Sequence, residues 1–387
     1  MAEHVITFSS RHSVDRDQLF DWHARPGAFT RLAPPWQTLR ELSGEVGIEN
    51  GAQREIELRL GPLPVRWTAR HEQFVHGHQF VDRQTGGPFT SWLHRHCFES
   101  VGTGSRLTDE IAFRLPLDAV TDRLVLGAVR QTLIRTFRFR HQRTRMDLYR
   151  HARWRDAPRQ SVFLGPPNDY LLRQLDAHLS TGGHVVATRD AELTPSVVVW
   201  RGPEDKRGEL RRSVSRIQPS IVIMVTEDDT DVPNLLELAP AGARCVVLVH
   251  GPVLSAAFGF LPPMMRRARL GLPFARRIET WIQLDDLLAA IVHVVHDERA
   301  EGGWTIGDQR PARPSEVVAA VHDAASPRMP VAWPVRSDTA PVDRPGPPAP
   351  LRPLSELGFS PWFRCFGEAV RFERGQLVRL PVLPPQS

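Results

Sequence analysis

Five short apolar runs in the second half of the chain constrain its fold more than any other feature. They are SVFL (161–164), HVVAT (184–188), SVVVW (196–200), SIVIMVT (220–226) and CVVLVH (245–250). Helical or loop segments alternate with most of them, and strands that are apolar on both faces are typical of a parallel sheet covered by helices. Residues 160–336 are therefore predicted to form an α/β, Rossmann-like doubly wound parallel-sheet domain, with amphipathic helices at 284–297 and 314–325.

The first half has a different rhythm, in which strand-like segments separated by turn signals precede one long helical pattern. The segments lie near 4–10, 38–46, 52–60, 64–75, 79–84, 89–100 and 105–115. Residues 16–36 carry helical signals before Pro34 and Pro35. Between about residues 118 and 151, Val125, Val129, Leu133 and Phe137 recur every fourth residue and form an apolar stripe. Residues 1–153 are therefore predicted to form an α+β domain in which a curved antiparallel sheet grips a long helix.

Two further segments follow these domains. Residues 337–352 are too rich in proline to pack and are predicted to be a linker. Residues 353–375 are expected to form a small C-terminal element.

Composition excludes several classes of protein. The chain of 387 residues has no basic segment followed by an apolar run at its start and no apolar stretch long enough for a membrane span. Its three cysteines argue against a disulfide framework, so a cytoplasmic location is expected. The net charge of +5 comes from 49 basic and 44 acidic residues that are interleaved, and no nucleic-acid partner is expected.

Motifs in the first half resemble a known domain family. The runs WHARPGAFTRLAPPW (22–36), DRQTGGPFTSWLHRHCFE (82–99) and SRLTDEIAFRLPL (105–117) look like a START/Bet v1-like, helix-grip domain of the SRPBCC superfamily. They are similar in particular to the version fused to epimerase-like proteins that are often labelled cell-division inhibitors.

The second half is similar to the partner in that fusion, an extended short-chain dehydrogenase/reductase of the NAD-dependent epimerase family. The segments GARCVVLVHGPVLS (242–255), RIETWIQLDDLLAAIVHVV (277–295) and PLSELGFSPWFRCFGEAV (353–370) carry the resemblance. The last of these resembles the small C-terminal domain of that family.

The phosphate-binding turn departs from the family pattern. A glycine-rich turn of the type T-G-x-x-G-x-x-G is implied after the first strand, and the corresponding stretch here is LGPPNDYLL (164–172). Only Gly165 remains as a weak remnant, while prolines, Asp169 and Leu172 stand where glycines are needed. Arg189 is a weak candidate for a 2′-phosphate contact, although a solvated loop arginine is favoured. No cofactor is expected.

The catalytic pair implied by the resemblance is missing as well. The family uses a tyrosine with a lysine four residues later, whereas the only lysine here, Lys206, follows Gly202 at that spacing. Tyr149 lies in the first domain and Tyr170 lies in the degenerate turn. No catalytic residue is therefore assigned.

Paired histidines raise the alternative of a metal site. His94 and His96 share one face of a strand, and His76 and His78 repeat the spacing. Such a pair holds zinc only if a third ligand converges, and alternation turns Cys97 away. A structural or cavity-lining role is favoured, and no metal is expected.

The same alternation provides candidates for a ligand cavity between sheet and helix. A concave, mainly apolar surface with a few orienting polar groups is the usual design of a small-molecule site, and a filled core is the alternative. The candidates are Trp67, Trp92, His94, Phe98, Asp109 and Phe113.

These observations favour a non-catalytic protein. A START-like domain that binds a small hydrophobic ligand or a protein partner would be fused to a degenerate epimerase-like scaffold. The alternatives are an active NAD(P)-dependent epimerase or oxidoreductase with a remodelled site, and an adaptor that binds only proteins.

Overall fold

The computed structural model describes residues 2–44, 47–60, 63–116, 119–166, 169–187, 194–270, 272, 277–307, 309–325, 351–376 and 378. The chain divides into two compact units. The first comprises Met1–Arg155 with Ser180–Gly183, and the second comprises Asp156–Leu179 with His184–Ser387.

The first unit is built on a seven-stranded antiparallel sheet in the order β1-β7-β6-β5-β4-β3-β2. The pattern of turn signals predicted all seven strands, and this prediction is confirmed. The strands are β1 (His4–His12), β2 (Leu39–Gly44), β3 (Gln53–Leu60), β4 (Leu63–Val75), β5 (Gln79–Gly86), β6 (Ser91–Val101) and β7 (Gly104–Arg114).

The described part of this unit contains three helices: α1 (Arg16–Ala24), α2 (Ala28–Leu32) and the long α3 (Ala119–Ala152). The helical signal at 16–36 is divided because Pro26 cannot continue the hydrogen bonding of α1 and Gly27 adopts a left-handed conformation with φ of +90°. Arg31 of α2 donates two hydrogen bonds, of 2.8 and 2.7 Å, to the carboxylate of Asp147 on α3, and both side chains are fully buried. This bidentate ion pair fixes α2 against α3.

The second unit contains a seven-stranded parallel sheet in the order β9-β8-β10-β11-β12-β15-β16. The five apolar runs form five of its seven strands, as the pattern of a parallel sheet covered by helices predicts. The strands are β8 (Ser161–Gly165), β9 (Val185–Ala187), β10 (Val197–Trp200), β11 (Ile221–Thr226), β12 (Arg244–His250), β15 (Gly302–Ile306) and β16 (Arg352–Pro353). The short strands β13 (Val253–Leu254) and β14 (Ile282–Gln283) pair separately.

Among the described residues of this unit, seven α-helices accompany the sheet. They are α4 (Tyr170–Thr181), α5 (Arg207–Ile217), α6 (Val232–Leu236), α7 (Leu261–Arg269), α8 (Leu284–His296), α9 (Pro314–Ala325) and α10 (Phe366–Glu373). The helices predicted at 284–297 and 314–325 are confirmed as α8 and α9. The predicted linker at 337–352 lies outside the described residues except for its last two, and α10 lies within the predicted C-terminal element.

Candidate functional site

A layer of polar side chains crosses the interior of the first unit between two aromatic clusters. Strands β1, β4, β5, β6 and β7 and helix α3 each contribute to it at a similar level, because alternate residues of a strand share a face. The layer consists of Ser10, His12, His71, Asp82, His94, His96, Asp109 and His141.

Asp109 is the centre of this polar layer. It is 3% exposed, and its carboxylate lies 2.9 Å from His94 Nε2, 2.7 Å from His96 Nδ1 and 2.7 Å from His141 Nε2. His141 reaches it from α3, whereas the two other imidazoles come from the adjacent strand β6. A buried carboxylate surrounded by ring nitrogens in this way has all of its hydrogen-bonding capacity directed within the protein.

Asp82 forms a second centre on β5. Its Oδ2 lies 3.1 Å from His96 Nε2 and 3.7 Å from His94 Nδ1, while its Oδ1 lies 2.7 Å from His71 Nε2. Asp82 is paired directly with His94 across the sheet. Its side chain is 26% exposed, so it is the member of the layer through which solvent has access.

A serine extends the polar layer towards β1. Ser10 Oγ lies 2.6 Å from His141 Nδ1 and 2.8 Å from His12 Nε2. One continuous series of short polar contacts therefore links Asp82, His96, Asp109, His141 and Ser10.

Burial and charge set the protonation of the layer. Burial alone would lower the pKa of His96, but the charges of Asp109 and Asp82 outweigh that effect and raise it to about 9. Burial would raise the pKa values of the two carboxyls, yet the imidazoles in contact with them hold both well below the usual range. Burial together with the nearby charge of His96 lowers the pKa of His94 to about 4. One imidazolium, His96, thus lies between two carboxylates.

The predicted cavity residues are brought together only in part. Trp67, Trp92 and Phe113 belong to one aromatic cluster, in which the rings of Trp67 and Trp92 lie edge to face at 4.9 Å. Phe98 belongs to a different cluster with Phe20. His94 and Asp109 lie in the polar layer between the two clusters.

Sequence reasoning missed five members of this site: Ser10, His12, His71, Asp82 and His141. The apolar stripe of α3 offered a signal, because His141 is the next position after Phe137 at the same four-residue spacing. Asp82 could not be paired with His94 until the register of β5 and β6 was known.

The second candidate site is the crevice of the parallel sheet. The strand order changes direction at β8, which lies between β9 and β10, and ligands of doubly wound folds bind at the carboxyl ends of the strands beside such a point. Here Trp200, at the end of β10, fills that position and is 4% exposed. A Cβ atom on Gly165 would lie only 2.5 Å from its ring. Because Gly165 has no side chain, the ring of Trp200 fits against it.

The start of α4 is occupied by a carboxylate of the protein itself. Asp169 Oδ1 accepts a hydrogen bond of 3.0 Å from the backbone N–H of Leu172, and Asp169 Oδ2 accepts one of 2.6 Å from Arg201. Next to this ion pair, Tyr170 stacks on Phe258 with ring centres 5.6 Å apart. The helix N-terminus that would bind a pyrophosphate in this fold is thus already capped.

The remaining sequence candidates of this unit have structural contacts. Lys206 donates to Glu209 at 2.6 Å, and Arg189 lies outside the described residues. Asp285 and Asp286 lie in the first turn of α8. The cap of that turn is Gln283, and Asp286 accepts hydrogen bonds from the backbone of Trp362 and Phe363.

A pocket of about 420 Å³ lies at the opposite edge of this sheet. Ser220 and Arg244, which begin or precede β11 and β12, line it together with His296. The guanidinium of Arg244 already donates to the carbonyl oxygens of Val294, Val295 and Ala300. Because it faces the amino ends of the strands, this pocket is not the nucleotide crevice of the fold.

Comparison with solved structures establishes the fold of the chain. It is similar to a nucleoside-diphosphate sugar epimerase from Corynebacterium glutamicum, with a TM-score of 0.69 and 20% sequence identity over 96% of this chain and 90% of that one. At this identity the likeness shows a shared fold and does not extend to activity.

Two smaller proteins align with part of the chain. Ara h 8.0201 is 13% identical over 38% of this chain and 99% of its own, with a TM-score of 0.31. The Zhui aromatase/cyclase from Streptomyces sp. R1128 is 11% identical over 39% and 96%, with a TM-score of 0.32. These scores are too low to carry an argument.

No family model and no curated protein sequence matches the chain. Among the described residues, every helix is too short or too polar to cross a membrane.

Proposed function

We propose that this is a non-catalytic two-domain protein whose first domain binds a small hydrophobic ligand. The second domain is a reductase-like scaffold that has lost dinucleotide binding. The proposal rests on the crevice beside β8. There, Trp200 and the Asp169–Arg201 ion pair occupy the space that a pyrophosphate would need.

Three physical effects act against a nucleotide there. Asp169 places a negative charge at the helix end where a dianion would bind, and its carboxylate already accepts from a free N–H of the first turn. Trp200 excludes the close backbone approach that glycines permit in this fold. A ligand would have to displace both groups, which costs binding free energy at each step.

The first domain has the features of a START/Bet v1-like helix-grip domain. Its antiparallel sheet of seven strands and long C-terminal helix agree with the motifs at 22–36, 82–99 and 105–117. Trp67 and Phe89 are only partly buried, so aromatic surface remains open next to the polar layer. Apolar walls with a few polar groups that orient a ligand fit a small hydrophobic molecule.

Titration with NADH and with NADPH, followed by nicotinamide fluorescence, tests the scaffold assignment. We expect no saturable signal below about 1 mM, equivalent to binding weaker than about −4 kcal/mol. A dinucleotide-binding reductase measured in parallel serves as the positive control. Micromolar affinity for either cofactor would overturn the proposal and favour an active NAD(P)-dependent epimerase or oxidoreductase.

Titration with the apolar dye 1-anilinonaphthalene-8-sulfonate tests the ligand assignment. We expect saturable fluorescence that Trp67→Ala weakens, because Trp67 contributes open aromatic surface. Trp36→Ala is the matched control, since Trp36 packs against Phe139 outside the two clusters that flank the polar layer. The proposal fails if the folded protein does not bind the dye or if both variants weaken binding equally.

A further inference from the structure

We propose that Asp82, His94 and His96 form a binding site for a divalent first-row transition metal, zinc or iron(II). This proposal is independent of the proposed function, because metal content can be measured without any ligand or nucleotide.

The separations of the three side chains fit tetrahedral coordination. Each offers one ligand atom, and the three atoms lie within 4.8 Å of one another. Asp82 Oδ2 lies 3.1 Å from His96 Nε2 and 3.7 Å from His94 Nδ1. Metal bonds of 2.0–2.2 Å at the tetrahedral angle place ligand atoms about 3.3 Å apart. The two separations from Asp82 are therefore within a few tenths of an ångström of this value.

The other nitrogen of His94 and the other oxygen of Asp82 already have the outer polar contacts that metal sites use, and the other nitrogen of His96 lies close to the same outer carboxylate. The second ring nitrogens of His94 and His96 face Asp109 Oδ1 at 2.9 and 2.7 Å. The second oxygen of Asp82 is held by His71 Nε2 at 2.7 Å. In metal sites a carboxylate commonly fixes the ring orientation of a ligating histidine in this manner. The remaining ring nitrogen of each imidazole, His94 Nδ1 and His96 Nε2, therefore points to Asp82.

The ligands lie on a rigid support. Asp82 is directly opposite His94 in the register of β5 and β6, and His96 follows two residues later on the same face. Sites on paired strands keep their geometry better than sites on loops. The matching spacing at His76 and His78 is different, because these residues occupy the exposed turn between β4 and β5.

The kind of donor selects the metal class. Two imidazoles and one carboxylate favour zinc or iron(II), whereas magnesium and calcium prefer oxygen ligands alone. A divalent cation would also balance the two carboxylates, Asp82 and Asp109. Without a metal, the same balance requires protons on the imidazoles, and this is the competing arrangement.

The test uses the full chain with any affinity tag removed. Protein treated with EDTA is dialysed, incubated with Zn²⁺ or Fe²⁺ under anaerobic conditions, and freed of excess metal before its content is measured by mass spectrometry. We expect about one metal per chain. Co²⁺ should give the intense visible bands of a four- or five-coordinate site.

Substitutions assign the ligands. Asp82→Asn and His96→Gln should weaken Zn²⁺ binding more than Asp109→Asn, for which a loss of about 10- to 100-fold is expected. His78→Gln is the matched control from the exposed His-x-His pair and should bind as the unchanged protein does. Circular dichroism establishes that each variant is folded.

The thermal midpoint of the unchanged protein provides a readout that needs no variant. It should rise with added Zn²⁺, because a ligand of the native state stabilises it by mass action. The proposal is overturned if the folded protein retains fewer than about 0.1 metals per chain. It is also overturned if His78→Gln lowers the content as much as His96→Gln does.

Discussion

The two sheets of this protein bury polar groups in different ways. The inner face of the antiparallel sheet carries two carboxylates and several imidazoles that satisfy one another, with His94 and Asp109 each 3% exposed. In the centre of the parallel sheet the fully buried side chains are apolar, as Val198, Val222 and Val247 illustrate. Burying titratable groups costs folding free energy unless the groups are paired. Their presence in the antiparallel sheet therefore indicates a functional role.

The crevices of the two domains show the same contrast. In the second domain, Trp200 and the Asp169–Arg201 pair occupy the position that the fold reserves for a ligand. In the first domain, Asp82 remains 26% exposed beside ordered imidazoles. Titratable side chains in contact with one another therefore line the sheet of the first domain, whereas apolar side chains fill the centre of the parallel sheet in the second domain. Four measurements test this contrast between the two domains.

The largest effect is expected for Asp109→Asn, measured in EDTA-treated protein. The substitution leaves the buried imidazolium of His96 without one of its counter-charges, and a loss of about 3–5 kcal/mol in unfolding free energy follows. Urea unfolding, combined with hydrogen exchange in β6 and β7, measures it. The control is Glu110→Gln on the opposite face, where the side chain is 43% exposed. A loss below about 1 kcal/mol would contradict the view that the layer is tightly coupled.

A smaller effect concerns the acid stability of the second domain. Burial, together with the nearby charge of Arg201, lowers the pKa of His250 to about 4, and only its Nδ1 contacts a backbone oxygen, that of Gly251. Because the folded pKa is below the unfolded value near 6.5, this stability is present above pH 6.5 and is lost as the pH falls towards 4. The contribution is at most about 3 kcal/mol.

His250→Gln should therefore reduce the fall in unfolding free energy between pH 7 and pH 4 relative to the unchanged chain. His322→Gln on α9 is the matched histidine-to-glutamine control. An identical fall in the chain and in His250→Gln would refute the assignment.

Val198→Thr places an unpaired hydroxyl in the apolar sheet. Val198 is completely buried, and a hydroxyl of nearly the same shape should cost about 1–3 kcal/mol there. Val185→Thr on β9 is the matched control, because Val185 is 54% exposed. Hydrogen exchange of β10 and β11 reports the change, and equal effects in both variants would remove the contrast between the sheets.

The smallest effect is expected for Asp169→Ala. It removes the cap of α4 and a partner of Arg201, so a loss of about 1 kcal/mol is expected from the cap alone. The control is Asp205→Ala, because Asp205 is exposed and lies outside α4. If Asp169→Ala also gains micromolar NADH affinity, the carboxylate is the main obstacle to the nucleotide and Trp200 is secondary.

Local patterns were sufficient for most of the architecture. The alternation and turn signals of residues 4–115 predicted the antiparallel strands, and the apolar runs predicted five strands of the parallel sheet. The spacing of apolar side chains along a strand or helix records which of its faces packs against the core. This spacing can be read from residues a few positions apart in the sequence. The helical signal at 16–36 yielded two helices because Gly27 turns the chain between them.

The candidate sites depended on separations that no local pattern records. The sequence identified His94 and Asp109 as neighbours of a cavity but left the metal hypothesis without a third ligand, since Cys97 points away. Asp82 becomes that ligand only through the register of β5 and β6, and His141 reaches Asp109 only because α3 crosses the sheet at that level. Likewise, the sequence showed that the phosphate turn lacks its glycines, but the occupation of the crevice by Trp200 follows from the parallel pairing of β8 and β10. The sequence by itself determined the antiparallel strands, five strands of the parallel sheet and the helices α3, α8 and α9, because these depend on neighbours within a few residues. Only the tertiary structure decided which buried charges meet, because electrostatic and coordination energies depend on distances of a few ångströms between residues far apart in the chain.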